Sequence, residues 1–419
     1  MRADVRPLHK AVEGGRATQG KEVRQRPCQE GGRRSDVGAV LALVGASFLG
    51  ALTSVTLGPF LPMIARDLRT SVPLLGQTAT AALLSAAVLG LIVGPLADRY
   101  GHRRLLLAGL WAVTLCGSAT AAARGYLTLL GGQLFGSVSI ATLEGVALAV
   151  AGTRFAGRTR RRAMSAITGA IASSSVVGIP LLTALGETFG WRAAFLTLGV
   201  AGLSGACLVA VALPRGDVPQ RRGPARRTLL SEYAPLLRHR PVLALVLSSA
   251  LRAVFWMGAV LYLGALFSER HGFGTREVGL VYLASGIGYL AGSAAVGSWL
   301  GGSAPRATYA ATTIGSGALF GFAFAAPFGA GVAVACITLA SLLAPFGWVT
   351  LAAMLSGETP AGQATTMVLA VSVYSLGAAI GGAAGGLLLA WGGYAALGVG
   401  LAVFAAAAVV SVRRPSGKR

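Results

Sequence analysis

The chain has 419 residues, 54% hydrophobic and only 12% charged, with a mean hydropathy of +0.68. Soluble domains carry about twice that share of charge, so the composition excludes an ordinary water-soluble globule. A net charge of +22 would suit nucleic acid, but the basic residues sit between apolar runs with no folded polar domain to present a groove, and nucleic-acid binding is not expected.

Residues 1–36 are polar and Gly-rich, carry nine Lys or Arg, and hold no long apolar stretch. They read as a basic disordered cytoplasmic tail rather than a signal peptide. Apolar spans follow at 38–60, 73–97, 104–123, 126–152, 163–185, 191–213, 242–267, 277–300, 307–326, 329–353, 362–388 and 392–412. About 20 apolar residues cross the hydrocarbon as a helix, and lipid offers bare backbone no partner, so each span is predicted helical. The strands of a membrane barrel would be shorter and would alternate. The polar stretch 214–241 divides the chain into an N-terminal bundle over 37–213 and a C-terminal bundle over 242–412, with a short tail at 413–419. The expected fold is an all-α membrane protein of 12 transmembrane helices, arranged as two pseudo-symmetric six-helix bundles around a central cavity.

An even number of spans puts both termini on one side. Segments on that side carry 29 Lys+Arg, the opposite loops carry 6, and Arg252 falls within a span. Positive charge marks the cytoplasmic side, so both termini are predicted cytoplasmic. The four cysteines are scattered, the four histidines lie in tail or loops, and no phosphate-cradling Gly-Lys-Ser/Thr loop occurs. These features predict no metal site, no disulfide framework, no cofactor and no enzyme activity.

Between the second and third spans stands Gly94-Pro-Leu-Ala-Asp98-Arg99-Tyr-Gly101-His-Arg103-Arg104. It resembles the loop signature of the major facilitator superfamily, with His102 where the family usually has Arg or Lys. The resemblance covers about residues 38–412 and implies a secondary transporter whose loop cluster (Gly94, Asp98, Arg99, Gly101, Arg103 and Arg104) gates the cytoplasmic side. In the fifth span, Gly178 and Pro180, followed by Gly190-Trp191-Arg192, look most like the drug:proton antiporter group, in particular the arabinose-efflux-like and chloramphenicol-resistance permeases. Leu182 stands where those relatives usually have another Gly. Many of them also carry an acid in the first span and an Arg in the fourth; here the first span has no acid, and Gly132 or Gln133 takes the other position.

Two charges lie well inside spans, Glu144 in the fourth and Arg252 in the seventh. Charge at membrane depth is costly and points to function. The family's cavity is lined by spans 1, 4, 7 and 10, so the two are expected to face it, to pair across the halves, and to couple transport to protons through Glu144; a static salt bridge is the plainer alternative. Phe255, Trp256, Tyr262, Tyr289, Trp348 and Tyr374 lie at mid-span. Trp256 and Tyr374, then Phe255 and Trp348, are the candidates for a substrate pocket suited to an amphipathic organic molecule, against the alternative of a lipid-facing belt. The expected function is export of a drug or metabolite from the cell by proton antiport in the plasma membrane. No resident cofactor is expected, the partners are a small organic substrate, protons and the lipid bilayer, and a single chain is expected to suffice. A proton-linked importer of a sugar, organic acid or nucleoside, or a transport-inactive sensor on the same scaffold, are the alternatives.

Overall fold

The computed structural model describes residues 29–155, 157–213, 239–299, 305–357 and 363–412. Most of the predicted tail, nearly all of the 214–241 linker and residues 413–419 lie outside them. Among the described residues all regular structure is helical. Ten helices are long and apolar enough by themselves to cross a membrane. One of these, Ser372–Val412, is long enough for two crossings, and Pro305–Ala325, diluted by Thr, Ser and Gly, completes twelve.

The first crossing, α1, comprises Gln29–Val55 and Leu57–Asp67. It outruns the expected end at residue 60: the backbone stays helical through Thr56, and Pro59 falls within the first turn of the second piece, where no N–H is needed. Next come α2 (Val72–Tyr100), α3 (His102–Ala121) and α4 (Tyr126–Arg154). The fifth crossing, α5, joins Gly157–Ser173 to Ile179–Phe189 through a π-helical turn, Ser174–Gly178. Pro180 cannot donate a backbone hydrogen bond, and the wider turn just before it absorbs the mismatch, with the Ile179 N–H reaching back to the Ser174 carbonyl. The N-terminal half closes with α6 (Trp191–Ala212). The C-terminal half holds α7 (Arg240–His271), α8 (Thr275–Trp299), α9 (Pro305–Ala325) and α10 (Ala330–Gly357). The last helix, Gln363–Val412, is broken by non-helical backbone at Gly392 and Gly393 into α11 (363–391) and α12 (394–412). Gly101 and Gly190 make the shortest turns possible between antiparallel neighbours, at φ of 85° and 84°, which a side chain would strain.

Odd-numbered helices run from the face bearing the chain ends to the opposite, far face. Within the N-terminal half, α4 packs on α1 and α3, and α6 on α3; within the C-terminal half, α11 packs on α7, and α10 and α12 on α9. The halves meet along α1–α7, α2–α11 and α5–α8. Among the described residues the close glycine contacts of that seam run from mid-depth, where Gly286 meets Val176, to the far face. A side-chain carbon on Gly58 would stand 2.8 Å from Tyr282 Oη and 3.0 Å from the Leu261 carbonyl, and one on Gly264 would stand 2.8 Å from the Gly58 carbonyl. Gly76 lies against the Tyr262 hydroxyl, and Gly279 against the Thr183 hydroxyl. On α11, Gly377, Gly381 and Gly385 receive α7, while Gly382 and Gly386, one residue round the helix, receive Thr80 and Gln77 of α2. Adjacent glycine rows thus let α11 pack closely on its own half and on the other half at once. The described state is therefore shut on the far face.

Candidate functional site

Glu144 sits ten residues before the end of α4, about 15 Å from the tail face at 1.5 Å per residue. It is half-buried beside Gly50 of α1, whose missing side chain leaves its Cγ room. Among the described residues it makes no hydrogen bond and no ion pair. Arg252 is reached from the other half, about 18 Å along α7. It is only 5% exposed. Its Nη2 donates to the Ala344 carbonyl at 2.5 Å, and its Nε has no partner among the described residues. The guanidinium can lie this close to α10 because Gly347 has no side chain; a carbon there would stand 3.5 Å from Cζ and Nε. The expected Glu144–Arg252 ion pair is therefore not made in this state: the arginine is tethered to its own half. The two helices nonetheless approach one another: Ile140, one turn before Glu144 on α4, and Tyr374 of α11 pack on a cluster that includes Ala253, next to Arg252 on α7.

The aromatic candidates separate. Trp348 and Tyr374 come together with ring centroids 5.3 Å apart, edge to face. Trp256 packs on Tyr289 and on Phe320, each at 5.7 Å. Phe255 is fully buried in the packed core, so it supports the helix rather than lining a pocket. Adjacent residues on a helix point about 100° apart, and Trp256 takes the more open direction. Tyr262 is likewise sealed, donating to the Gly382 carbonyl at 2.9 Å and plugging the seam between Gly76 and Gly386.

The loop signature divides in the same way. Gly94 lies in α2, and Gly101 is the positive-φ turn. Arg103 donates Nε to the Leu213 carbonyl at 2.8 Å and Nη2 to the Ala210 carbonyl at 2.9 Å, capping the end of α6. Those bonds stay within one half, so Arg103 braces that half instead of latching the two together. Arg104 is exposed, and the Asp98 and Arg99 side chains lie outside the described residues. Gly178 accommodates Leu52 and Phe48 of α1. In the Gly-Trp-Arg turn, Trp191 Nε1 and Arg192 Nη1 both donate to Asp67 at 3.1 and 2.6 Å, pinning the tip of α1 to the start of α6. Asp67, Tyr282 and Thr183 carry the far-face structure but have no sequence signal beyond polarity near a helix end or seam.

A family model described as Major Facilitator Superfamily matches residues 43–368. The uncharacterized MFS-type transporter YtbD of Bacillus subtilis is 23% identical over 364 residues, 85% of this chain and 89% of that protein. The chloramphenicol resistance protein of Streptomyces lividans is 26% identical over 244 residues, 58% of this chain and 61% of that protein. Two solved structures share the fold at 15% identity. A bacterial homolog of the human lysosomal transporter Spinster, inward-facing and unoccupied, gives a TM-score of 0.68 and covers 90% of this chain and 95% of its own. A variant of the nucleoside transporter NupG gives 0.70 and covers 89% and 98%.

Proposed function

The chain belongs to the major facilitator superfamily of membrane transporters, and from that premise we propose that it exports a small organic molecule across the plasma membrane in exchange for protons. Both termini are cytoplasmic in this reading, so the far face, which is shut, is the outer side of the membrane. The observation that carries the proposal is Glu144. It is the only carboxylate well inside a span, and it has neither ion pair nor hydrogen bond among the described residues. A bare carboxylate at that depth is costly. Protonation relieves the cost, and so does an organic group that displaces the proton. One residue that must be occupied by one or the other is sufficient for exchange. The Trp348–Tyr374 and Trp256–Tyr289 pairs offer the organic body apolar faces. The similarity to a chloramphenicol resistance protein supports outward transport.

Two experiments test this reading. Inside-out vesicles with an acidified lumen accumulate substrate if the protein is an antiporter and do not if it is a symporter. Purified protein releases protons when substrate is added, and Glu144→Gln abolishes the release; proton release retained in the variant removes Glu144 from the mechanism.

A further inference from the structure

Glu144 and Arg252 belong to opposite halves and, among the described residues, do not neutralise each other; Ile140, one turn before Glu144, and Tyr374 both pack on the cluster that holds Ala253, the neighbour of Arg252. Resting on the antiport reading above, we propose that the transported molecule is a zwitterion, with its ammonium on Glu144, its carboxylate on Arg252 and its apolar body against Trp348 and Trp256.

The argument is one of charge balance in a dry interior. Arg252 is 5% exposed, carries a guanidinium charge and, among the described residues, has only a backbone carbonyl for a partner, with Nε unsatisfied. Uncompensated charge in such surroundings is expensive, and a partner of opposite sign recovers part of the cost. A molecule bearing only a cation would answer Glu144 and leave Arg252 unpaired. A molecule bearing only an anion would answer Arg252 and be repelled by the ionised Glu144. A zwitterion satisfies both. It also bridges the halves, because its two ends are held by α4 and α7. Protonation of Glu144 removes the ammonium's partner and leaves the carboxylate's, so proton and substrate compete at one end of the molecule only.

The test uses the full-length purified protein and three probe series: tryptophan, phenylalanine and leucine, each compared with its methyl ester, which is a cation, and its N-acetyl form, which is an anion. Calorimetric titration is expected to show at least one of the amino acids binding tenfold or more tighter than both of its single-charge forms. In Glu144→Gln that advantage over the N-acetyl form disappears while the advantage over the ester persists; in Arg252→Gln the reverse holds. Arg252→Lys keeps the wild-type order, and the wild-type order alone tests the proposal if a glutamine variant fails to fold. An ester that matches its parent amino acid in the wild type overturns the proposal, as does failure of all three amino acids to bind. If that failure comes with proton release by other organic molecules, only the zwitterion assignment falls; if nothing elicits proton release, the antiport reading falls with it.

Discussion

Tyr262 does its work through one oxygen atom. The hydroxyl donates to the Gly382 carbonyl and lies against Gly76 of the other half. From sequence, a mid-span tyrosine reads equally well as pocket, belt or core, because helical spacing does not say which neighbour has left a gap for it. Tyr262→Phe removes the hydrogen bond and leaves a void at the seam. Such a bond is worth about 1 kcal/mol net, or roughly a fivefold change in an equilibrium. The variant is expected to expose the far side several-fold more often, measured as faster labelling of a single cysteine at Thr80 by an impermeant reagent. Glu144 and Arg252 show the same limit. The sequence marks both as charges in lipid, but the tether that keeps them apart depends on a glycine at position 347 of another helix, and nothing along the chain connects that glycine with Arg252.

Among the elements, α5 bears most directly on closure. Its π-turn at Ser174–Gly178 sets the rotation of Ile179–Phe189, and with it the side of the helix on which Thr183 meets Gly279. Pro180→Ala restores a backbone donor and removes the reason for the wider turn. The variant is expected to fold and elute as the wild type does, but to transport at least fivefold more slowly because Thr183 no longer docks. Transport rate set against elution profile checks this. The bend was legible from Pro180, but its form as a π-turn was not, since the choice depends on which packing partner α8 offers. Apolar length located the crossings well, and it failed at their ends. The tip of α1 at Asp67 is held by Trp191 and Arg192, contacts between residues 124 and 125 positions apart in the chain.

At the scale of the whole molecule, the twelve crossings and the loop signature made the architecture readable, because span length and a spaced motif are local properties. Which face is shut is a property of two surfaces and is visible only once they are packed together. The seam offers a direct test of rocking. A side-chain carbon on Gly382 would stand 3.7 Å from the Thr80 Cβ, within the roughly 3.5–4.5 Å that a disulfide spans. The double variant Thr80→Cys, Gly382→Cys is expected to cross-link on mild oxidation and to lose transport entirely, with activity restored by reductant. A cross-linked protein that still turns over would show that the far face need not open.

The glycine seam also separates fitness from foldedness. A methyl group at Gly58, Gly76 or Gly279 meets atoms of the other half while the far face is shut, and separation of the halves would remove those obstacles. Its penalty therefore falls on one conformation and shifts the balance between two folded forms without favouring the unfolded chain. Such a chain can be inserted, packed and abundant in the membrane and yet remain idle. Damage at the seam would be recorded in surveys of growth and missed in surveys of expression.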